Sequence, residues 1–359
     1  MLFRSSEMEG EKSKFEVIME LNSPFQRFKR NKLAMAGLLF IFLMVLVSVF
    51  GSYFRLDKTE NANDQKLNLA LSKPGFSVNV IELRENAKEW FSVSKVEQFG
   101  DSVKVEMYEK NGGGEVVTFA LNDLKHDASN QFVFQKKFLL GTDKYGRDVL
   151  SRLMAGASVS LLVGSIAVVI SLLLGVTLGL WAGYFKGWVD SLISYFIQVV
   201  WAIPTLLLVM AICFAFGTGF WKVFVAVGLT MWVEVARITR GQVLGIREKE
   251  YIEAAKAIGN SSSRIIFKHV LPNVVSPIIV MSAANFASAI LMEAGLSFLG
   301  LGAQIPTPSW GNMIRESYSY LTTDMAYLAF LPGVCIMLLV LSFMMVGNGL
   351  RDALDVREN

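Results

Sequence analysis

Long stretches without a single Asp, Glu, Lys or Arg alternate with short charged ones along most of this chain. Leu33–Phe54, Leu153–Phe185, Ser191–Trp221, Val270–Met292 and Met325–Leu350 are uncharged throughout. Each is longer than the roughly 20 apolar residues with which a helix crosses a ~30 Å hydrocarbon core. A shorter run, Val223–Val233, becomes a span of about Phe220–Arg240 once its flanks are included, with Glu234 and Arg237 near its end. The pattern predicts six membrane-spanning helices. Arg55–Phe138, between the first and second, has another rhythm. "SVSKVEQF" (Ser92–Phe99), "SVKVEMYEK" (Ser102–Lys110) and "EVVTFAL" (Glu115–Leu121) partly alternate apolar and polar residues, as half-buried strands do, and Gly112-Gly113-Gly114 offers a turn. The expected fold is an all-α polytopic membrane protein with a small α/β or β insert after its first helix. The other reading of that segment is a spacer with no role of its own.

Composition agrees: 53% of residues are hydrophobic and only 18% charged, with 16 Met and 26 Phe, a membrane protein's balance. Basic residues in short flanking segments stay on the cytoplasmic side. Arg27, Lys29, Arg30 and Lys32 precede the first span, and Arg237, Arg240, Arg247, Lys249, Lys256, Arg264 and Lys268 lie between the fourth and fifth. Leu301–Asp324, between the fifth and sixth, holds only Arg315. Both termini are therefore expected in the cytoplasm, and the insert outside it. The first apolar run follows a charged arm of about thirty residues and lacks a small-residue cleavage site after it, so an uncleaved anchor is expected. Cys213 and Cys335 sit inside apolar spans as small core residues, and the net charge of +3 is explained by the cytoplasmic basic residues. No nucleic-acid partner is expected.

One charged, helix-prone stretch is lodged between two apolar ones: "EYIEAAKAIGNSSSRIIFKHVLPN", Glu250–Asn273. Ile252, Ala254, Ala255 and Ile258 are expected on one side of a helix, with Glu253 and Lys256 on the other. Gly259 suits a left-handed C-terminal cap, Ser261–Ser263 offer N-caps for a second helix over Arg264–Leu271, and Pro272 is expected to break the chain before the next span. A short helix of this form suits a groove on a partner, and equally an ordinary surface loop.

Glu253-Ala254-Ala255, then Gly259, then Leu271-Pro272, resembles the EAA-type motif of the permease subunits of bacterial ABC importers. "LLGTDKYGRDVLSRLMAGASVSLLVG" (Leu139–Gly164), "EAGLSFLGLGAQIPTPSWGNMI" (Glu293–Ile314) and "GLRDALD" (Gly349–Asp355) resemble blocks of the C-type permeases of dipeptide, oligopeptide and nickel importers. The likeness is loose over Asn22–Phe54 and close over Leu139–Asp355. It implies a type I importer fold in the bacterial inner membrane: a cytoplasmic arm (1–32), a first helix (33–54), the extracytoplasmic insert (55–138), a core of helices two to six (139–348) with a coupling helix at about 250–260, and a cytoplasmic tail (349–359). It also implies that Glu253, Ala254, Ala255, Gly259, Leu271 and Pro272 couple the chain to an ATPase subunit. The implied partners are a B-type permease as the other half of a heterodimer, two ABC ATPases, an extracytoplasmic substrate-binding protein and the lipid bilayer. The insert is longer than the family's usual outer loop there, and so leaves the solute open.

No Gly-Lys dipeptide occurs, so no phosphate-cradling P-loop is present; this chain is expected to bind no cofactor, ATP and Mg being used by the partner subunits. Neither His126 nor His269 sits in a ligand-like cluster, so neither metal binding nor catalysis is expected. Glu293, a carboxylate beside a span, could line the pathway or an outer gate, or could be protonated or paired between helices. Glu234 and Arg237 read as a local ion pair at the cytoplasmic interface rather than as a pathway element. Gly175, Gly179 and Gly183 read as a close-packing face, and Pro204, Pro277 and Pro332 interrupt spans, which fits broken helices lining a cavity and equally fits packing kinks. The expected function is that of a permease subunit of an ATP-driven importer for di- or oligopeptides. The alternatives are the same permease carrying nickel or another solute, or a self-contained channel or secondary transporter.

Overall fold

A computed structural model describes residues 24–84, 89–127, 130–217, 220–304 and 306–354. Most of the expected N-terminal arm, and the tail from Asp355 on, lie outside them. The helices are α1 (Pro24–Arg30), α2 (Lys32–Phe54), α3 (Val149–Phe185), α4 (Gly187–Trp201), α5 (Thr205–Phe216), α6 (Phe220–Arg247), α7 (Glu250–Ala257), α8 (Ser262–Ile265), α9 (Leu271–Phe298), α10 (Trp310–Ser317) and α11 (Tyr327–Leu354). Five strands lie between α2 and α3: β1 (Phe76–Glu82), β2 (Trp90–Phe99), β3 (Ser102–Met107), β4 (Val116–Ala120) and β5 (Val133–Phe138). The chain falls into two units, dividing at 44/45, 159/160, 302/303 and 334/335.

Among the described residues four helices are long and apolar enough to cross a membrane: α2, α3, the run from Ser262 to Phe298, and α11. Counting α4 and α5 as one broken span gives five. The expected span Ser191–Trp221 is not one helix, because α4 and α5 meet at a 93° bend. Pro204 has no N–H to continue α4 and disfavours helical backbone at Ile203. Pro277 and Pro332, by contrast, stay inside α9 and α11; membrane helices absorb proline where neighbours satisfy the freed carbonyls. The expected fourth span forms as α6, 28 residues long, but Lys222, Glu234, Arg237, Arg240 and Arg247 keep it out of the apolar set.

In the first unit α3 packs on α6 through its glycines. A Cβ at Gly175 would lie 2.5 Å from the Val235 Cβ, one at Gly179 2.6 Å from the Ala236 carbonyl oxygen, and one at Gly183 2.6 Å from the Val243 Cβ. The absent side chains let the two backbones touch, the means by which membrane helices associate when burial from water no longer drives them. Arg240 on α6 clamps Asp190 on α4 in two-point fashion, at 2.5 and 2.8 Å.

In the second unit the strands form one antiparallel sheet in the order β4-β3-β2-β1-β5. β1 to β4 are a meander, and β5 returns to pair with β1 from Phe76↔Phe138 to Ile81↔Val133. Alternation sends Val78 and Val80 to a cluster with Leu69, Trp90 and Phe138, and Ile81 to another with Val93, Val103, Val105 and Leu124. Apolar side chains thus cover both faces. The stretch before β1 is bonded to the loop before α3: Lys66 N–H donates to the Tyr145 carbonyl at 3.1 Å, Leu71 N–H to that of Asp143 at 3.0 Å, and Thr142 N–H to that of Ser72 at 3.1 Å. Gly146 belongs to this contact, since a Cβ there would run into the Lys66 carbonyl oxygen.

Candidate functional site

The charged stretch Glu250–Asn273 folds as α7, a tight turn and α8. Lys249 is in extended backbone before α7, with Glu250 and Glu253 in the first turn and Lys256 in the last, the order that suits the helix dipole. Gly259 has φ +80°. Asn260 N–H donates to the Ala255 carbonyl at 3.2 Å and Gly259 N–H to that of Lys256 at 3.0 Å, the paired bonds of a Schellman cap. Ser261 then caps α8, its side chain accepting from Arg264 N–H at 3.4 Å.

Only part of the expected apolar face is inside. Ile252 and Ala255 are buried among Leu180, Tyr184, Val243, Ile246, Ile265, Ile266, Val270 and Val274, with Leu271 packed against the same cluster. Ala254 is exposed, and Ile258 is 80% exposed. At 3.6 residues per turn Ala254 lies roughly 200° and Ile258 roughly 120° round the helix from Ile252, so neither shares its buried side. Tyr251 and Phe267 are also exposed. The hairpin therefore presents Tyr251, Ala254, Ile258 and Phe267 outward, with Glu250 and Glu253, on a base anchored by Ile252 and Ala255. The cluster beneath it draws on α3, α6 and α9.

The second helix differs from expectation. α8 does not end at Pro272; a π-helical turn, Ile266–Val270, joins it to α9. The wider turn shifts the hydrogen-bond register just where proline has no N–H to give. Of the six residues expected at the site, Glu253, Ala254, Ala255 and Gly259 share the short helix and its cap, while Leu271 and Pro272 open α9. Glu293 is not brought to them, lying 22 residues beyond Leu271 on the same helix, about 33 Å at 1.5 Å per residue. It is 1% exposed and accepts a hydrogen bond from the Ser297 hydroxyl at 2.5 Å. The expected Glu234–Arg237 pair does not form: the Arg237 guanidinium lies over the Trp201 ring, 4.0 Å from its centroid.

The second unit brings together two blocks whose individual residues had no assigned role. Arg147, buried, pairs with Asp143 at 2.6 Å and Glu316 at 2.6 Å, and Arg152 reaches Glu316 at 3.4 Å. Trp310 donates from Nε1 to the Leu153 carbonyl at 2.9 Å and fills the space over Gly156, where a Cβ would lie 2.7 Å from its ring. The Asp143–Arg147 spacing of four was the only local signal; the partner Glu316 is 169 residues away.

Two family models match. Residues 175–358 fit the binding-protein-dependent transport system inner membrane component, and residues 23–74 the N-terminal transmembrane domain of oligopeptide transport permease C. The chain belongs to the family of binding-protein-dependent transport system inner membrane components. It is 45% identical over 60% of its length to a dipeptide transport system permease protein of Alkalihalophilus pseudofirmus, covering 70% of that protein. A glutathione transport system permease protein of Pectobacterium atrosepticum is 39% identical over 65% of this chain and 79% of its own. A di/tripeptide transport system permease protein of Pseudomonas aeruginosa is 42% identical over 62% and 73%. The chain is thus a multi-pass permease component of the inner membrane.

Proposed function

We propose that this chain is one of two permease subunits of an ATP-driven importer of di- or oligopeptides, of type I architecture. It forms half the pathway with a related B-type permease and works with two ATPase subunits, which bind the ATP and Mg, and with an extracytoplasmic binding protein. It has no ATPase site of its own. The names of its relatives favour peptides over nickel, and the family leaves no support for a self-contained channel. Counting α6 as the fourth brings the spans to six in this reading: its 28 residues reach about 42 Å, and Arg237, Arg240 and Arg247 lie towards one end, leaving Val223–Val233 apolar. Both termini and α7 then face the cytoplasm, and the sheet lies outside.

The observation that carries the reading is the α7 hairpin. Ile252 and Ala255 fix the hairpin to three long helices while Ile258 and Ala254 face out, the form of a rigid knob that would fit a partner's groove. ATP-driven closure of the ATPase pair would move that knob and, through α3, α6 and α9, the helices behind it. Purifying the complex from its native membrane tests this. It should hold a second permease and two ATPases, with a peptide retained by the binding protein. In the same cells Asn111→Cys should react with a membrane-impermeant thiol reagent and Lys256→Cys should not. A complex without ATPases, or reversed labelling, overturns the reading.

A further inference from the structure

A cavity of about 230 Å³ opens in the first unit where α4 breaks from α5, lined by Trp201, Thr205, Thr230, Glu234, Ser288 and Met292 among others. We propose that it is a subsite for the α-ammonium end of a peptide in transit, with the Glu234 carboxylate as the recognising group. This rests on the peptide-import reading above.

Glu234 stands near the midpoint of the 28-residue α6, directly after its apolar stretch Val223–Val233 and near the end of the span. A carboxylate on a spanning helix is costly unless it is paired or faces a water-filled path, and such residues mark substrate routes. Among the described residues nothing pairs with it. Arg237, the nearest cation along the helix, is held instead on the Trp201 ring at 4.0 Å, and Arg240 is taken by Asp190. Glu234 is exposed into the cavity as a free acceptor. The hydroxyl-bearing residues Thr205, Thr230 and Ser288 line the same space, so a –NH3+ group entering it meets an ionised acceptor and neutral polar side chains. α4 also ends at the cavity with Val200 and Trp201, and the carbonyl end of a helix favours a cation. The start of α5 at Thr205 opposes this in part, leaving the full charge of Glu234 as the deciding feature. The volume is below the roughly 300–1,000 Å³ that encloses a drug-sized ligand. It therefore admits one end of a peptide and leaves the remainder in the open pathway, so selectivity is for the terminus and not for the side chains.

The test uses the complete purified complex carrying Cys213→Ala, Cys335→Ala and Ser288→Cys. The rate at which a small maleimide alkylates Ser288→Cys is measured without peptide, with trialanine and with N-acetyl-trialanine. Trialanine should slow labelling, while the acetylated peptide, which has no ammonium, should not. Glu234→Gln should weaken protection by trialanine about tenfold, the order of a charge-assisted hydrogen bond, and Glu234→Asp should restore much of it. Equal protection by both peptides, protection that persists in Glu234→Gln, or none in the parent complex overturns the proposal; the last is the result expected if the partner permease pairs with Glu234. Uptake of labelled trialanine by proteoliposomes of the parent complex separates the two levels. Uptake without protection defeats the subsite alone, whereas no uptake of any di- or tripeptide defeats the peptide reading and the subsite with it.

Discussion

Ile252 and Ile258, six residues apart on one short helix and its cap, should respond oppositely to truncation. Ile252 is fully buried and Ile258 80% exposed. Ile252→Ala leaves a cavity in the cluster joining α3, α6 and α9, which costs about 2–5 kcal/mol of stability. Ile258→Ala trims a side chain four-fifths exposed, so stability should stay within about 0.5 kcal/mol of the parent. If Ile258 seats in an ATPase groove, however, its burial there contributes most of what an isoleucine can give. Full burial is worth about 1.5–3 kcal/mol, so truncating a side chain four-fifths exposed should lose about 1–2 kcal/mol, five- to thirtyfold in association. The assay titrates the ATPase subunits onto the detergent-purified permease pair and reads both the binding midpoint and the hydrolysis stimulated by loaded binding protein. Thermal melting of the same samples reports folding. Ile258→Ala should shift the midpoint and leave the melt alone, whereas Ile252→Ala should lower the melt first. Ala255→Trp would fail as a docking probe, because Ala255 faces the core; Ala254→Trp is its surface counterpart. A midpoint within twofold of the parent for Ile258→Ala, with normal stimulation, would refute the docking geometry.

Two further outcomes test the packing and the sheet. Gly179→Val must displace α6, since its Cβ would meet the Ala236 carbonyl oxygen at 2.6 Å; overpacking of this kind costs about 1–3 kcal/mol, read as a lower melting temperature of the purified complex, and an unchanged melt would contradict the close approach. At Glu82 burial pushes the carboxyl's pKa up, but hydrogen bonds from Lys125 and Lys136 outweigh it and hold it below its ordinary value. A depressed folded-state value means that the stabilisation is present above the unfolded value of about 4.5 and is lost as pH falls through the folded one. Hydrogen exchange of peptides from 76–138, taken relative to the intrinsic rate at each pH, should therefore rise on acidification below about pH 4.5 in the parent, and less steeply in Glu82→Gln; identical acid responses would remove Glu82 from the cause.

Much of this protein was decided by local pattern. Uncharged runs mark α2, α3, α9 and α11 because a bilayer-crossing helix must satisfy its backbone internally and face lipid or apolar neighbours with nearly every side chain. The glycine repeat of α3 announced a close contact, since only missing side chains allow it, and Gly259 announced the cap because little else accepts φ +80°. Strands β2, β3 and β4 were legible from alternation. β1 and β5 were not. β5 carries Lys136 and Lys137, and it becomes a strand by pairing with β1 over some fifty residues of chain. Pro204, Pro277 and Pro332 all marked interruptions, but only at Pro204 does the chain break, between α4 and α5; Pro277 and Pro332 stay inside their helices. The fate of individual side chains was tertiary too. Ile252 and Ile258 were expected on one side of the helix, but the packed structure buries the first and leaves the second 80% exposed. Arg237 and Glu234 are spaced for each other, but the fold brings Trp201 alongside, and the guanidinium lies over its ring instead. Periodicity reports which residues share a side of an element, whereas only the packed structure determines what lies against that side.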